Sequence, residues 1–394
     1  MAVQWGGREA GTPLRSIPGE FTATAALTAA DAERAAPASI SEMRFTVHLR
    51  QHRVRFGESV AAVLPQELGS LNVERPLLIS SPRGAAVLER LIRTSGTAVP
   101  HIAAFTQIAP HVPSPVAQEA RLMALSVASD CLLAFGGGSA LDTAKAVAHE
   151  LHLPILAIPT TLSGSEVTFN FGLTVDGVKQ TVVDPLVLPA TVIYDPSLFV
   201  SLAHAETVCS GINAIAHATE ALYSRNANAL TTAIALAGID HLLRGLRRHR
   251  VEPRLDATTK CIYGAWLCGE ALAQVGMGLH HRLCHVLGGT FGLPHARTHT
   301  VMLPYVVAFN LPGTVALDPL RDLYGCEDVA MGMAQFGKEL GAPTCLRDLG
   351  LPHAAIEHAA ELALATPIDG PRAPSKADVL SILQRAWSGA GLRD

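Results

Sequence analysis

Five of the 17 histidines in this 394-residue chain are concentrated in one short segment, Gly278–Thr300. They are His280, His281, His285, His295 and His299. If the first part of this segment is helical, His281 and His285 are four residues apart and project from the same helix face. Imidazoles gathered in this way bind a metal, move a proton or hold a carboxylate. The simpler alternative is a set of hydrogen-bonded core histidines, and spacing by itself does not decide between the two.

Two further features indicate side chains that could join this group. The Gly288–Gly289 pair and Pro294 predict that the first helix ends there, so that His295 returns toward the same place from the next element. Upstream, in the segment GINAIAH, Asn213 and His217 also have the spacing of neighbours on one helix face.

A glycine-rich turn follows a predicted strand, Cys131–Phe135. Its glycines are Gly136, Gly137 and Gly138. Glycine lets backbone amides approach a phosphate closely, and the positive end of the helix that follows favours an anion. Ser139 and Asp142 have the spacing of a capping box. The turn predicts a nucleotide pyrophosphate site, although the fingerprint GxGxxG is absent and a structural tight turn produces the same residues.

The next predicted strand, Pro154–Ile158, leads into a turn rich in hydroxyl groups, PTTLSGSEVT. Thr160, Thr161 and Ser163 are candidates to hydrogen-bond a ribose or a nicotinamide amide. A polar loop whose side chains bond its own backbone explains these residues nearly as well.

An earlier predicted strand, Pro76–Ile79, is followed by Ser80, Ser81, Pro82 and Arg83. This segment contains no acidic residue to hold ribose hydroxyls and repel a 2′-phosphate. We therefore expect that NADH and NADPH are both accepted, within about tenfold of each other.

The elements that must position these residues fall into two groups. Short apolar runs alternate with helical stretches between Ser59 and Pro196, which is typical of a parallel α/β sheet. From about Leu202 onward the periodicity is helical almost throughout. The first 42 residues lack apolar periodicity and are expected to be a disordered extension. We therefore predict an α/β NAD(P)-binding domain over residues 43–200 and a helical catalytic domain over residues 201–394, with a ligand cleft between them.

The overall composition excludes several classes of protein. Charged residues make up 16% of the chain, the net charge is −4 and no long basic run occurs, so no nucleic-acid partner is expected. No uninterrupted apolar segment approaches about 18 residues, so no membrane span is expected. The seven cysteines are scattered and include no CxxC pair, which indicates reduced thiols in the cytoplasm.

Five segments carry a resemblance to a known family: FGGGSALDTAKAVA, PTTLSGSEVT, LPATVIYDP, GINAIAHATEALY and HRLCHVLGGTFGLPH. Together they resemble the iron-containing alcohol dehydrogenase family, whose fold is dehydroquinate synthase-like. The resemblance runs from about Met43 to the C-terminus. It implies an α/β nucleotide-binding domain followed by an all-α domain, and a homodimer.

Within this family the chain is most similar to the reductase branch, which implies NAD(P)H-dependent reduction of maleylacetate, an enone dicarboxylate, to 3-oxoadipate. The short loop PTTLSGSE, the motif GINAIAH and the segment LHHRLCHVLGGTFGLPHARTH carry this similarity. A metal-dependent alcohol dehydrogenase acting on a small alcohol or aldehyde is the alternative, because Asp142 resembles the pattern of those enzymes. A cyclising lyase like dehydroquinate synthase is disfavoured by the few lysines and arginines near the predicted site. A catalytically inactive binding protein would leave the glycine turn and the histidines unexplained.

The resemblance also implies roles for individual residues. The family's metal ligands, one Asp and three His, correspond to Asn213, His217, His281 and His295. Because an amide replaces the carboxylate, we expect an enzyme that uses NADH or NADPH and works without a metal.

The family's nearby active-site histidine corresponds to His285. We expect His281 and His285 to act as hydrogen-bond donor and acid, and His217 and His295 to shape the pocket. The candidates to contact the two carboxylates of a small dicarboxylate substrate are Ser163, Thr168, Arg297 and His299.

Overall fold

The structure, a computed structural model, describes Val47 and residues 52–96, 98–176, 178–251 and 255–392. The predicted disordered extension, residues 1–42, lies outside the described residues. The alternation of Phe45, Val47 and Leu49 predicts an opening strand, which also lies outside the described residues apart from Val47.

Six parallel strands form the sheet of the N-terminal half. They are β1 (Arg53–Phe56), β2 (Pro76–Ile79), β3 (Ala103–Phe105), β4 (Cys131–Gly136), β5 (Ile155–Pro159) and β8 (Thr191–Tyr194), in the order β1-β8-β5-β4-β2-β3. The helices between them are α1 (Val60–Ser70), α2 (Pro82–Ser95), α3 (Ser114–Ser126) and α4 (Gly138–Leu151). The predicted class of fold is confirmed. The shortest of these six strands is β3, with three residues.

Both faces of the sheet are covered, which explains why its strands are continuous apolar runs. Neighbouring residues of a strand point to opposite faces. In β4, Leu132 packs into a core that continues into the helical half, whereas Leu133 packs with Val60 and Leu88 from α1 and α2. The C-terminal ends of the strands therefore lie between two packed layers, and the turn after β4 faces the helical half.

A two-stranded antiparallel hairpin, β6 (Asn170–Val175) and β7 (Val178–Val183), lies outside this sheet. It was not predicted, although the sequence Asp176-Gly177 between two apolar runs is a strong hairpin signal. The hairpin contacts α4. It also contacts α8 (Leu279–Phe291) of the helical half, so it closes one side of the space between the two halves.

The C-terminal half is helical, as predicted. Its remaining helices are α5 (His204–Tyr223), α6 (Ala229–Val251), α7 (Leu255–Val275), α9 (His295–Asn310), α10 (Pro319–Tyr324), α11 (Val329–Glu339), α12 (Ala355–Leu364) and α13 (Lys376–Ser388). The segment Ala229–His249 is long and apolar enough to cross a membrane. In the fold, α6 packs against α5 and α7 and buries Ile239 and Leu242, as core helices do.

The helix that carries His281 and His285 does not end at Gly288–Gly289, and that prediction is wrong. Helix α8 continues to Phe291 and ends at Gly292, which adopts the left-handed conformation with φ 70°. Gly289 has a different reason to be glycine. A Cβ at this position would lie 2.4 Å from the Cβ of Lys179 on β7, so the absence of a side chain lets the hairpin approach the helix.

Candidate active site

The glycine-rich turn joins β4 to α4. Gly136 has φ 150°, and α4 begins at Gly138. A Cβ on Gly137 would lie 2.9 Å from the hydroxyl of Thr161, whereas a Cβ on Gly138 would meet nothing within 4 Å. The turn is thus packed on one side by the hydroxyl-rich loop and open on the other, where an anion can reach the N-terminus of α4.

The predicted capping box is wrong, because no side chain caps the N-terminus of α4. The carboxylate of Asp142 instead accepts hydrogen bonds from Ser165 Oγ at 2.9 Å and from the Gly172 backbone N–H at 3.2 Å. Asp142 therefore ties the helix to the hydroxyl-rich loop and to the hairpin.

A buried lysine on α4 also anchors the hydroxyl-rich loop. The Nζ of Lys145 donates to the backbone carbonyls of Ser165 at 2.6 Å and of Thr168 and Asn170 at 2.9 Å each. Burial lowers the pKa of Lys145 to about 8, against the raising effect of Asp142 and Glu166. The side chain of Lys145 is fully buried and has a structural role.

The histidines form one continuous cluster contributed by α5, α8 and α9. The His217 and His281 rings stack with their centroids 5.0 Å apart. The His281 and His285 centroids are 6.0 Å apart, and those of His285 and His295 are 6.2 Å apart. The loop also reaches this cluster, since a Cβ on Gly164 would lie 3.0 Å from His217 Nδ1. The sequence prediction that these side chains lie close together is therefore matched by the geometry.

Glu220, one turn after His217 on α5, orients the cluster from behind. Its carboxylate accepts from His281 Nδ1 at 2.6 Å and from the backbone N–H groups of Gly278 and His280 at 2.9 and 2.8 Å. A carboxylate only accepts, so Nδ1 of His281 carries the proton and its Nε2 keeps a free lone pair. Burial by itself would raise the pKa of Glu220, but the charge and hydrogen bond of His281, the nearby His280 ring and the Gly278 backbone N–H lower it to about 2.

Several atoms of the cluster are buried without a hydrogen-bond partner among the described residues. They are Asn213 Oδ1, His217 Nδ1 and His281 Nε2. Burial, followed by the neighbouring histidines, holds the pKa of His217 well below its usual range. Burial, with Lys179 next, lowers the pKa of His295 to about 3. Neutral imidazoles and a buried amide oxygen are donors in the state that a metal ion requires.

A second trio lies directly behind these side chains. His280, Cys284 and His299 are fully buried, and their potential ligand atoms lie within 4.8 Å of one another. His280 Nε2 and His299 Nδ1 are 2.9 Å apart and share a hydrogen bond.

One cavity of about 360 Å³ joins the glycine turn to the histidines. Of the predicted site residues, its lining includes Gly138, Ser139, Asp142, Thr161, Ser163, Thr168, Asn213, His217, His281, His285 and His295. His285 also lines a neighbouring cavity of about 630 Å³.

Two predicted substrate contacts lie elsewhere. Arg297 is exposed and its guanidinium pairs with Glu206 at 3.2 Å, outside the cavity. His299 is completely buried behind the cluster.

Sequence analysis missed three residues of this region: His111, Lys179 and Glu220. His111 and Lys179 line the cavity, and Glu220 fixes His281. Glu220 was detectable in principle, because it lies three residues after His217 on the predicted helix. His111 lies in a loop and Lys179 lies on the hairpin. No local motif marks either residue as part of the site, so only the fold brings them there.

Comparison with known proteins identifies the family that has this combination of a glycine-rich turn and a buried histidine cluster. Residues 51–196 match the family described as iron-containing alcohol dehydrogenase, and residues 207–387 match its C-terminal part. The chain belongs to the iron-containing alcohol dehydrogenase family, whose members are oxidoreductases.

The similar proteins include several maleylacetate reductases. The maleylacetate reductase of Pseudomonas knackmussii is 42% identical over 350 residues, which cover 88% of this chain and 99% of that protein. Crystal structures of maleylacetate reductases from Agrobacterium tumefaciens and Rhizobium sp. strain MTP-10005 superpose with TM-scores of 0.82 and 0.81 at 37% and 38% identity. Each covers 88% of this chain and 99% of its own.

The expectation of an enzyme without a metal is wrong. The family to which the chain belongs is iron-containing, and the residues present fit an iron ion, because Asn213 Oδ1 and His281 Nε2 are buried without partners. The expectation overweighted the lost carboxylate. An amide oxygen is a neutral but competent ligand. The missing negative charge is offset by Glu220, which bonds the far side of His281.

Proposed function

We propose that this protein is an NAD(P)H-dependent maleylacetate reductase, which reduces the carbon–carbon double bond of maleylacetate to give 3-oxoadipate. The observation that carries the proposal is the 42% identity to a maleylacetate reductase over 99% of that protein's length. The glycine turn and the histidine cluster, lining one cavity, support it.

The reaction adds a hydride to the alkene carbon β to the ketone, negative charge develops on the ketone oxygen, and the neighbouring carbon takes a proton. When bound, NAD(P)H supplies the hydride and iron supplies a Lewis acid for that oxygen. Asn213, His217, His281 and His295 would hold the iron. His281 is kept in the required tautomer by Glu220.

We assign delivery of the proton to His285. Burial, with Lys179 next, holds the pKa of His285 well below its usual range, so its ring is neutral at neutral pH. Its side chain lines both the active cavity and the larger neighbouring cavity. A neutral imidazole in that position passes a proton from one ring nitrogen to the substrate while it takes another from water at the second.

We assign the remaining predicted residues to the cofactor and the substrate. Gly138 and Ser139, which line the cavity, and Gly136 and Gly137 of the same turn would hold the pyrophosphate, and Asp142, Thr160, Thr161 and Ser163 would contact the rest of the nucleotide. Ser163 and Thr168 remain candidates for the substrate carboxylates, and Lys179 gives the cavity wall a positive charge that favours an anion.

Both nicotinamide cofactors should be accepted, within about tenfold of each other in kcat/KM. At the end of β2, Ser80 donates to the Phe135 carbonyl at 2.7 Å and Ser81 caps α2, so no carboxylate faces the ribose from this turn. A preference for NADH above about a thousandfold would contradict this.

The decisive test is NADH oxidation by iron-loaded protein purified without a histidine tag. With maleylacetate as substrate, kcat/KM should exceed that with propanal by at least about a hundredfold. The reverse order would identify an alcohol dehydrogenase that acts on small alcohols and aldehydes.

Three further points stay predictions. The enzyme is proposed to be cytoplasmic, in keeping with seven free cysteines. It is proposed to be a homodimer that requires neither nucleic acid nor a membrane. The division near residue 200 into a nucleotide-binding and a catalytic domain is proposed to mark two folding units.

A further inference from the structure

The loop between β3 and α3 carries a strained pair of residues at the edge of the active cavity. His111 and Val112 both have left-handed backbone conformations, with φ 60° and 47°. This region is unfavourable for residues other than glycine and especially for β-branched valine. Strain of this kind persists only where the surroundings enforce it, and it is concentrated at functional sites.

The hairpin enforces this conformation. Thr174 of β6 donates from its Oγ1 to the His111 carbonyl at 2.7 Å and from its backbone N–H to the Val112 carbonyl at 2.9 Å. Val112 is buried, with 1% of its surface exposed. The hairpin therefore fixes both carbonyls, and with them the backbone from which the His111 side chain extends into the cavity lining.

The His111 imidazole lies on the histidine side of the cavity. It is half-buried, and its Cε1 would be 3.8 Å from a Cβ placed on Gly288 of α8. His111 is among the neighbours that lower the pKa of His295, so the two rings are close. Its ring nitrogens have no hydrogen-bond partner among the residues that the structure describes, although neutral imidazole always offers one N–H.

We propose that His111 is a specificity-determining residue whose ring N–H donates a hydrogen bond to one carboxylate of the substrate. A donor without a partner in a cavity that also contains the Lys179 ammonium suits an anion. The position beside His295 assigns that anion to the substrate and not to the nucleotide phosphates, which belong at the glycine turn. Because this role presupposes a dicarboxylate substrate, it rests on the proposed function.

The test compares His111→Gly and His111→Asn with the wild type. Glycine removes the ring and adopts φ 60° without strain, and asparagine tolerates this conformation while retaining an N–H donor. The exposed His101, outside the cavity, provides the control variant His101→Gly. Thermal unfolding and NADH binding confirm that each variant is folded and holds its cofactor.

Two ligands of equal chain length isolate the second carboxylate. Adipate has two carboxylates and hexanoate one, and calorimetry gives their affinities for the iron-loaded NADH complex. For His111→Gly we expect the Kd of adipate to rise about ten- to a hundredfold. The Kd of hexanoate should rise less, because its single carboxylate can bind at the other carboxylate subsite. The adipate Kd of His111→Asn should lie between those of His111→Gly and the wild type. The adipate Kd of His101→Gly should equal that of the wild type.

Steady-state kinetics provides an independent arm. The KM for maleylacetate should rise in His111→Gly by a factor similar to that for the adipate Kd, with a smaller change in kcat. A folded, NADH-binding His111→Gly that keeps wild-type adipate affinity or wild-type KM overturns the role of His111. A wild type that binds adipate through His111 but does not reduce maleylacetate overturns the proposed function alone. A wild type that neither reduces maleylacetate nor prefers adipate to hexanoate overturns both.

Discussion

The two sides of the active cavity are built in different ways. The side proposed to bind the nucleotide is built around the backbone of one contiguous turn, Gly136–Gly138, at the start of α4. The opposite side consists of side chains from α5, α8 and α9 that are far apart in sequence. A site built from backbone requires residues without a Cβ atom, so that the ligand can approach the main chain. A side-chain site depends on partners that hold each ring in place, such as Glu220 for His281. Substitutions should therefore fail for steric reasons on one side and for electrostatic reasons on the other.

The largest effect is expected for Gly137→Val on the backbone side. The new Cβ would lie 2.9 Å from Thr161 Oγ1, so the turn and the loop must separate. We expect the Kd for NADH, measured by fluorescence titration, to rise more than about a hundredfold. Gly69→Val on α1 is the control, because a Cβ there meets nothing within 4 Å. Wild-type NADH affinity in Gly137→Val would show that the turn is only structural.

The next effect is expected for Glu220→Gln on the side-chain side. Glutamine is similar in shape but lacks the negative charge that supports His281, so iron affinity should fall about ten- to a hundredfold. Competition with a chelator measures this without any assay of activity. Glu206→Gln, an exposed carboxylate on the same helix, is the matched control and should retain wild-type affinity. Equal iron affinity in both variants would show that Glu220 does not support iron binding.

A smaller effect of opposite sign is expected for Asn213→Asp. A carboxylate adds a charged oxygen ligand where the amide oxygen now lies buried without a partner. Iron affinity in the same competition should rise by about tenfold, or about 1.4 kcal/mol. Unchanged or weaker binding would mean that position 213 does not face the metal.

The smallest effect is expected for Arg297→Ala. Its guanidinium is 45% exposed and pairs with Glu206 outside the cavity. Exposed ion pairs contribute little, so we expect kcat/KM to change less than about twofold and the free energy of unfolding to change by less than about 1 kcal/mol. A tenfold rise in KM for maleylacetate would show that Arg297 contacts the substrate.

The same contrast explains what the sequence could predict. The parallel sheet, the helical half, the glycine turn and the i, i+4 pairs are local patterns, so they were predicted from single segments. The β6–β7 hairpin has a local signal at Asp176-Gly177, but its contacts with α4 and α8 are tertiary, so the sequence does not bring Lys179 to the site or anchor His111. The expectation of an enzyme without a metal rested on Asn213 alone and left out Glu220. The charge of Glu220 acts on the site only through a hydrogen bond to His281.

Lys145 has a consequence for the hydroxyl-rich loop. An ammonium group surrounded by three carbonyl oxygens at 2.6 to 2.9 Å has the environment that other proteins give to a potassium or sodium ion. Here the cation is covalently attached to α4, so it cannot dissociate, exchange or be removed by dialysis. The loop between the glycine turn and His217 therefore keeps its shape whichever monovalent salt surrounds the enzyme.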